Sequence, residues 1–431
     1  MSTTRSSRTS NEGEATARHA RYSTTSRSIT TRRAKLQVSL WKTIVSDDKR
    51  TNNSVHYLDV SPTSSVLASK HGNNIVKVWS LASGDVLNTI KFSSYTEAKS
   101  RSRDYLIRSH AILSESSNLI AIATRFGRSI DIYDWTKKKC IQSIGDADRW
   151  TASRVEVLDN SFSPLAIYHA DKNAVDLYMA AGEKKKPFFK TNTIDLKESG
   201  LPFVPQYPEL ALSPTSPLLV LAAGPRPPIA GQPPPEKETL LAAWETGDSA
   251  SSKPFRIARP WQHKELDTAI PSDLVTYGSV VVSIWIPASF RVVAASANRR
   301  GAGYNIVPVK VPNKIVLVWD LSANSTRTFV IPNSVCCISP DGRYVAFCDA
   351  TGSEIGARGT ISVVDVITGD EVWSWPDKDG MMGAGDVHWK QFDDLTTITE
   401  LAFSSDGRFL VVGDGQGVLG IYDVREKEES L

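Results

Sequence analysis

Six residues near the C-terminal end, GQGVLG at 415–420, match the string that cradles a dinucleotide pyrophosphate. That chemistry needs the string to open a helix, because unpaired amides at a helix N-terminus hold the phosphates. Here the string leaves one strand-like run, FLVVGD, and enters another, VLGIYDV. Its first glycines therefore read as a hairpin, and no nucleotide cofactor is expected. The seven His are residues 19, 56, 71, 110, 169, 263 and 388. None stands at metal-ligand spacing, and neither His-Glu-x-x-His nor Gly-x-Ser-x-Gly occurs. The four Cys form no Cys-x-x-Cys pair, so neither a zinc site nor a disulfide framework is expected. Cys336 and Cys337 are adjacent and must face opposite sides of one strand. The cysteines read as small buried groups in a reducing compartment. No catalytic residue, cofactor or metal is assigned.

The elements carrying these residues repeat. Seven openings recur: HYLDVSP from His56, SHAILSE from Ser109, VEVLD from Val155, LALSP from Leu210, VVSIWIP from Val281, VCCISP from Val335 and LAFSS from Leu401. Seven closings answer them, ending at Trp79, Tyr133, Tyr178, Trp244, Trp319, Val364 and Tyr422. Within each copy, runs alternate with period two and are split by Gly, Pro, Asn, Asp and Ser. SPDG at 339–342 and SDG at 405–407 are hairpin turns, since Gly accepts positive φ without steric cost. A four-stranded unit cannot bury both its faces alone; seven arranged radially can. The expected fold is all-β: a seven-bladed β-propeller of four-stranded antiparallel blades.

The closings resemble those of the WD-repeat family. VLVWDL at 316–321 matches the Trp-Asp signature in full, and Asp134, Asp365 and Asp423 keep its acid. The resemblance runs from about Lys35 onward and lacks the family's Gly-His dipeptide in every copy. The His–Ser–Trp–Asp hydrogen-bond set of that family is therefore not carried over. Blades are expected at 54–92, 104–144, 153–196, 207–260, 277–332, 333–375 and 396–424. The last copy stops after three strands, while a lone strand at 36–45, LQVSLWKTIV, precedes the first. It should supply the missing strand, close the ring and remove a sheet edge.

With inner-to-outer strands named a to d, the b–c and d–a connections share one face. Most long insertions fall there: b–c at 224–238, 296–313 and 349–359, and d–a at 93–103, 197–207, 261–276 and 376–395. Elaborated loops on a rigid scaffold carry function more often than the strands do. Trp150, Trp261 and Trp389 lie in connections on this side and are expected partner anchors. Arg299, Arg300 and Arg358 join them, mixed with acids such as Asp377 and Asp386. NRRG at 298–301 resembles the arginine pair of phosphoinositide-binding propellers, but it sits between strands b and c of its copy. In that family the pair ends a blade, so lipid binding through Arg299 and Arg300 stands only as the alternative. The proline run at 224–235 reads as a stiff spacer that contains a minimal PxxP.

Residues 1–34 hold seven Arg, only Glu12 and Glu14 as acids, and few large apolar groups. Such a segment cannot offset its ordering entropy by burial and is expected to be disordered. Without it the remainder is slightly acidic, so nucleic acid is not an expected partner except through this tail. No signal peptide or apolar span is read, which points to cytosol or nucleus. The a strands look apolar apart from Asp59 and Glu156, which predicts a structural channel. The expected function is a non-enzymatic scaffold for a protein or peptide partner on the elaborated face. Oligomeric state is left open. A propeller enzyme with a polar channel is the rival.

Overall fold

The serine that ends three of the openings, Ser61, Ser339 and Ser404, has a mechanical role. Its hydroxyl accepts the backbone N–H five residues on: Val66 to Ser61 at 3.0 Å, Tyr344 to Ser339 at 2.9 Å and Phe409 to Ser404 at 2.8 Å. Asp341 and Asp406 accept from those last two hydroxyls, and Gly342 and Gly407 turn the chain at positive φ. These side chains replace the ladder bonds that the a–b turn interrupts, so the turn can be tight.

The computed structural model describes residues 35–46, 53–72, 74–92, 108–155, 164–181, 186–225, 238–247, 252–288, 290–294, 303–308, 313–349, 359–375 and 395–426. They form seven four-stranded antiparallel sheets in a ring, a seven-bladed β-propeller. Blade 1 is Val55–Val60, Val66–His71, Ile75–Ser80 and Val86–Lys91; blade 2 is His110–Ser114, Leu119–Thr124, Ser129–Asp134 and Lys139–Gly145. Blade 3 is Arg149–Ala152, Leu165–His169, Ala174–Ala180 and Phe188–Asp195; blade 4 is Glu209–Leu212, Leu218–Ala223, Leu240–Glu245 and Arg256–Ala258. Blade 5 is Ile270–Tyr277, Val280–Ile286, Lys314–Asp320 and Ser325–Ile331; blade 6 is Val335–Ile338, Tyr344–Asp349, Thr360–Asp365 and Glu371–Trp375. Blade 7 is Ile398–Phe403, Phe409–Asp414 and Val418–Glu426, completed by Leu36–Val45.

That completion is the expected closure. Leu36 pairs with Glu426 and Val45 with Val418, with one bulge between Leu40 and Lys42. Packing shows why closure matters. Among the described residues seven hydrophobic clusters occur, each built from two neighbouring blades. Leu36 fills the junction of blades 6 and 7, and Ile44 the junction of blades 7 and 1.

Two openings shift. The a strand of blade 3 is Arg149–Ala152, upstream of Val155; Glu156 lies outside the described residues. The a strand of blade 5 is Ile270–Tyr277, so Val281 falls on strand b. Gly278, at φ 57°, joins these two blade 5 strands. Two apolar runs separated by Tyr-Gly-Ser are a hairpin, and the repeat pattern alone takes the second run for the first. The b–c connection of blade 5 also contains an antiparallel ribbon, Phe290–Ala294 with Tyr304–Pro308.

Part of the hydrogen-bond set that the missing Gly-His dipeptide argued against forms by another route. The Trp79 indole donates to Ser69 Oγ at 2.7 Å, and Ser69 meets His71 Nε2 at 2.7 Å. His71 Nδ1 reaches the Asn53 carbonyl at 2.7 Å. A carbonyl only accepts, so Nδ1 carries the proton and Nε2 accepts from Ser69. Burial holds the ring neutral by pushing its pKa down to about 4. The His comes from strand b instead of the preceding connection. His169 ties blade 3 in the same way, with Nδ1 on the Asp146 carbonyl at 2.7 Å.

Candidate functional site: the mouth of the central channel

Neighbouring residues on an a strand point to opposite faces. Leu58, Trp150, Leu210, Leu274 and Leu401 fill the junction with the preceding blade. The residue before each is polar: Tyr57, Arg149, Glu209, Asp273 and Glu400. Three of these a strands carry a β-bulge just before the polar residue: between Val55 and Tyr57, Pro271 and Asp273, and Ile398 and Glu400. A bulge locally re-aims a side chain.

These groups converge on the ring axis. Arg108, just before the a strand of blade 2, feels the charges of Asp59, Asp273 and Glu209 from blades 1, 5 and 4. The Tyr57 hydroxyl feels Arg108, Asp59, Glu400 and Asp273. Cys336 feels Lys314, Asp273 and Glu400, and its Sγ lies 3.3 Å from Lys314 Nζ. The channel expected to be apolar therefore has a charged mouth. Strand alternation buries the leucines but places their polar neighbours on the axis, an outcome hidden when each opening is read as uniformly apolar. The recurring polar–Leu dipeptides YL, EL, DL and EL at 57, 209, 273 and 400 were the available signal.

The electrostatics are uneven around the ring. Arg108 sits 3.9 Å from Asp59, and Arg149 Nε sits 3.8 Å from Glu209. Asp59 also accepts the Ile112 N–H at 2.8 Å. Asp273 and Glu400 have no ion-pair partner within 4.0 Å among the described residues. Burial pushes Glu400 up to about 8, reinforced by Asp273 and opposed by Lys314. Burial does the same to Glu209, up to about 8, against the pull of Arg149. The Tyr57 phenol stays protonated, its pKa raised by burial.

Outside the mouth on the same face runs residues 201–208, with prolines at 202, 205 and 208. Tyr207 has left-handed backbone, φ 49°, and is 42% exposed. Arg149 packs under its ring at 5.6 Å. Arg259 lies between Phe203 at 5.2 Å and Trp261 at 4.2 Å, and Trp261 is 44% exposed. Val204 is exposed beside them. The base of the proline-rich connection is fixed here too. A Cβ on Gly224 would come within 2.3 Å of the Ala269 carbonyl, and Thr239 Oγ1 donates to the Leu266 carbonyl at 3.0 Å.

The residues singled out from sequence divide. Trp261 is on the exposed patch. Trp150 is 4% exposed and donates its indole N–H to the Arg108 carbonyl at 2.9 Å. It packs in the junction of blades 2 and 3, because it occupies an a strand and not a connection. Trp389, Arg299, Arg300 and Arg358 lie outside the described residues. Tyr57, Arg108, Arg149, Glu209, Asp273, Cys336 and Glu400 were not anticipated. Among the described residues no group of three His, Cys, Asp or Glu could hold a metal ion, and no helix is long and apolar enough to cross a membrane.

The fold and this charged, loop-bordered mouth define the class: a seven-bladed β-propeller with an elaborated face. No family model matches the chain, and no curated protein matches it.

Proposed function

We propose that this chain is a non-enzymatic interaction scaffold of the WD-repeat type, holding a protein or peptide partner on the face of its d–a and b–c connections. The observation that carries the reading is the exposed Trp261 ring over the Arg259 guanidinium, which also packs on Phe203, with Val204 and Tyr207 exposed in the same connection as Phe203. Aromatic and Arg side chains are the usual anchors of protein interfaces, and an exposed Trp offers large contact area at low entropy cost. The prolines at 202, 205 and 208 limit the backbone freedom that binding would otherwise remove.

The test is capture of partners by the full chain and by its Trp261→Ala and Tyr207→Ala variants, with mass spectrometry of what is retained. A specific partner should be lost or weakened about thirtyfold in the variants, the effect of removing an anchor worth about 2 kcal/mol. A partner held equally well by both folded variants places the binding surface elsewhere.

A further inference from the structure

The antiparallel ribbon in the b–c connection of blade 5, Phe290–Ala294 with Tyr304–Pro308, belongs to no blade. Its register sets Val292 opposite Ile306 and Ala294 opposite Tyr304, so these four apolar side chains share one face. The other face is mixed, with Arg291 opposite Val307 and Val293 opposite Asn305. None of residues 291–294 and 304–308 is buried, and Ile306 is 41% exposed. Among the described residues the ribbon joins none of the seven hydrophobic clusters. Its backbone also bonds only within its own ladder among the described residues. Both outer edges therefore present a row of N–H and C=O groups that no strand takes up. A lone two-stranded ribbon is marginally stable in water; a third strand or a covered face is what stabilises it.

We infer that this ribbon docks an extended acidic segment of a partner protein, which adds as a strand to a ladder edge and lays apolar side chains on the face of Val292, Ala294, Tyr304 and Ile306. The inference rests on the scaffold reading and uses residues other than those around Trp261. Two observations select the occupant. An open ladder edge is completed by another polypeptide backbone, which gives affinity while alternate side chains give specificity. Charge then selects the kind of polypeptide. From Leu274 to Trp319 the chain has no Asp or Glu, while Arg291, Arg299, Arg300, Lys310 and Lys314 all fall in that stretch. Complementary charge speeds encounter and rejects wrong partners. A second copy of this chain would set like charges against one another, so self-pairing is disfavoured. A strand that alternates apolar and acidic residues suits both faces at once. Its apolar side chains extend the apolar face, and its carboxylates fall on the face that carries Arg291.

The probe is a fluorescent peptide of about eight residues that alternates Val and Glu, long enough for one strand. Its binding to the full chain is read by fluorescence anisotropy. The Kd should be about 0.1 mM or tighter, and about tenfold tighter than that of the same peptide with Lys in place of Glu. Two further copies carry N-methyl groups on one or the other alternate set of amides. One of them should lose about tenfold and the other should not, because a docked strand turns only one set toward the ladder. Arg291→Glu and Ile306→Lys should each weaken binding about tenfold. Neither side chain is buried, so both variants should fold and keep the parent melting temperature. Trp261→Ala should leave peptide binding unchanged, so failure of the ribbon and failure of the Trp261 patch are read separately. No binding of the Val/Glu peptide, or equal binding of the Lys peptide, overturns the proposal. So does full binding by both N-methylated copies, since that contact does not use a ladder edge. A dimer in sedimentation that Ile306→Lys dissolves, or anionic vesicles held in place of the peptide and released by Arg291→Glu, would give the ribbon another occupant and overturn it as well.

Discussion

Glu400 keeps a proton that the unfolded chain would release. Its carboxyl is pushed from the ordinary 4.5 up to about 8 by burial, then by Asp273, with Lys314 opposing. Below 4.5 both states are protonated and the site costs nothing. As pH rises toward 8 the unfolded state gains by ionising, so stability is progressively lost, and it levels off above 8. Glu400→Gln removes this dependence. Its stability relative to the parent should rise with pH through that window, by at most about 1.4 kcal/mol per pH unit. Urea unfolding of both proteins at several pH values reads the difference; a flat or falling difference would show the carboxyl to be ionised in the native channel. Ser69 offers a second residue-level test. Ser69→Ala leaves the Trp79 indole N–H and His71 Nε2 without their buried partner. The expected loss is about 1–3 kcal/mol by the same measurement.

At the scale of elements, the strand Leu36–Val45 closes the ring. A chain beginning at Lys35 should melt like the full chain. One beginning at Ser46 loses Leu36 and Ile44 from two blade junctions and exposes the ladder edge of Val418–Glu426. Those two side chains alone contribute about 3–6 kcal/mol. Equal melting temperatures for the two truncations would contradict closure. The connection of blade 4 is a further test. Gly224→Ala should be destabilising, because its Cβ meets a backbone carbonyl that cannot swing aside. Gly407→Ala meets no atom but must hold φ 71°, so its cost is conformational only.

Across the whole molecule, each blade shares its core with both neighbours, so a defect at one junction weakens the ring. Trp150→Ala should cost about 3–5 kcal/mol, as buried Trp truncations do. Trp261→Ala should leave the melting temperature nearly unchanged, because that ring is 44% exposed. Thermal unfolding of the two variants separates a junction residue from a surface one. A stability loss at Trp261 as large as that at Trp150 would make both tryptophans core and remove the main support for the partner patch.

The repeat determined the class of fold, because seven copies with period-two alternation have few other ways to bury their faces. The lone strand LQVSLWKTIV likewise announced closure, since an unpaired three-stranded copy at the other end needed it. The hairpin turns at 339–342 and 405–407 were legible as well, their glycines being a local signal. The channel mouth was not. Tyr57, Arg108, Glu209, Asp273 and Glu400 stand far apart in the chain, and each looks like an ordinary polar interruption of a strand. Only ring closure brings their blades around one axis, and only the bulges before Tyr57, Asp273 and Glu400 decide where those side chains aim. The difference between Trp150 and Trp261 also belongs to the tertiary structure. Both are tryptophans near blade boundaries, but one begins an inner strand and faces a neighbouring blade, while the other lies on a connection and faces solvent.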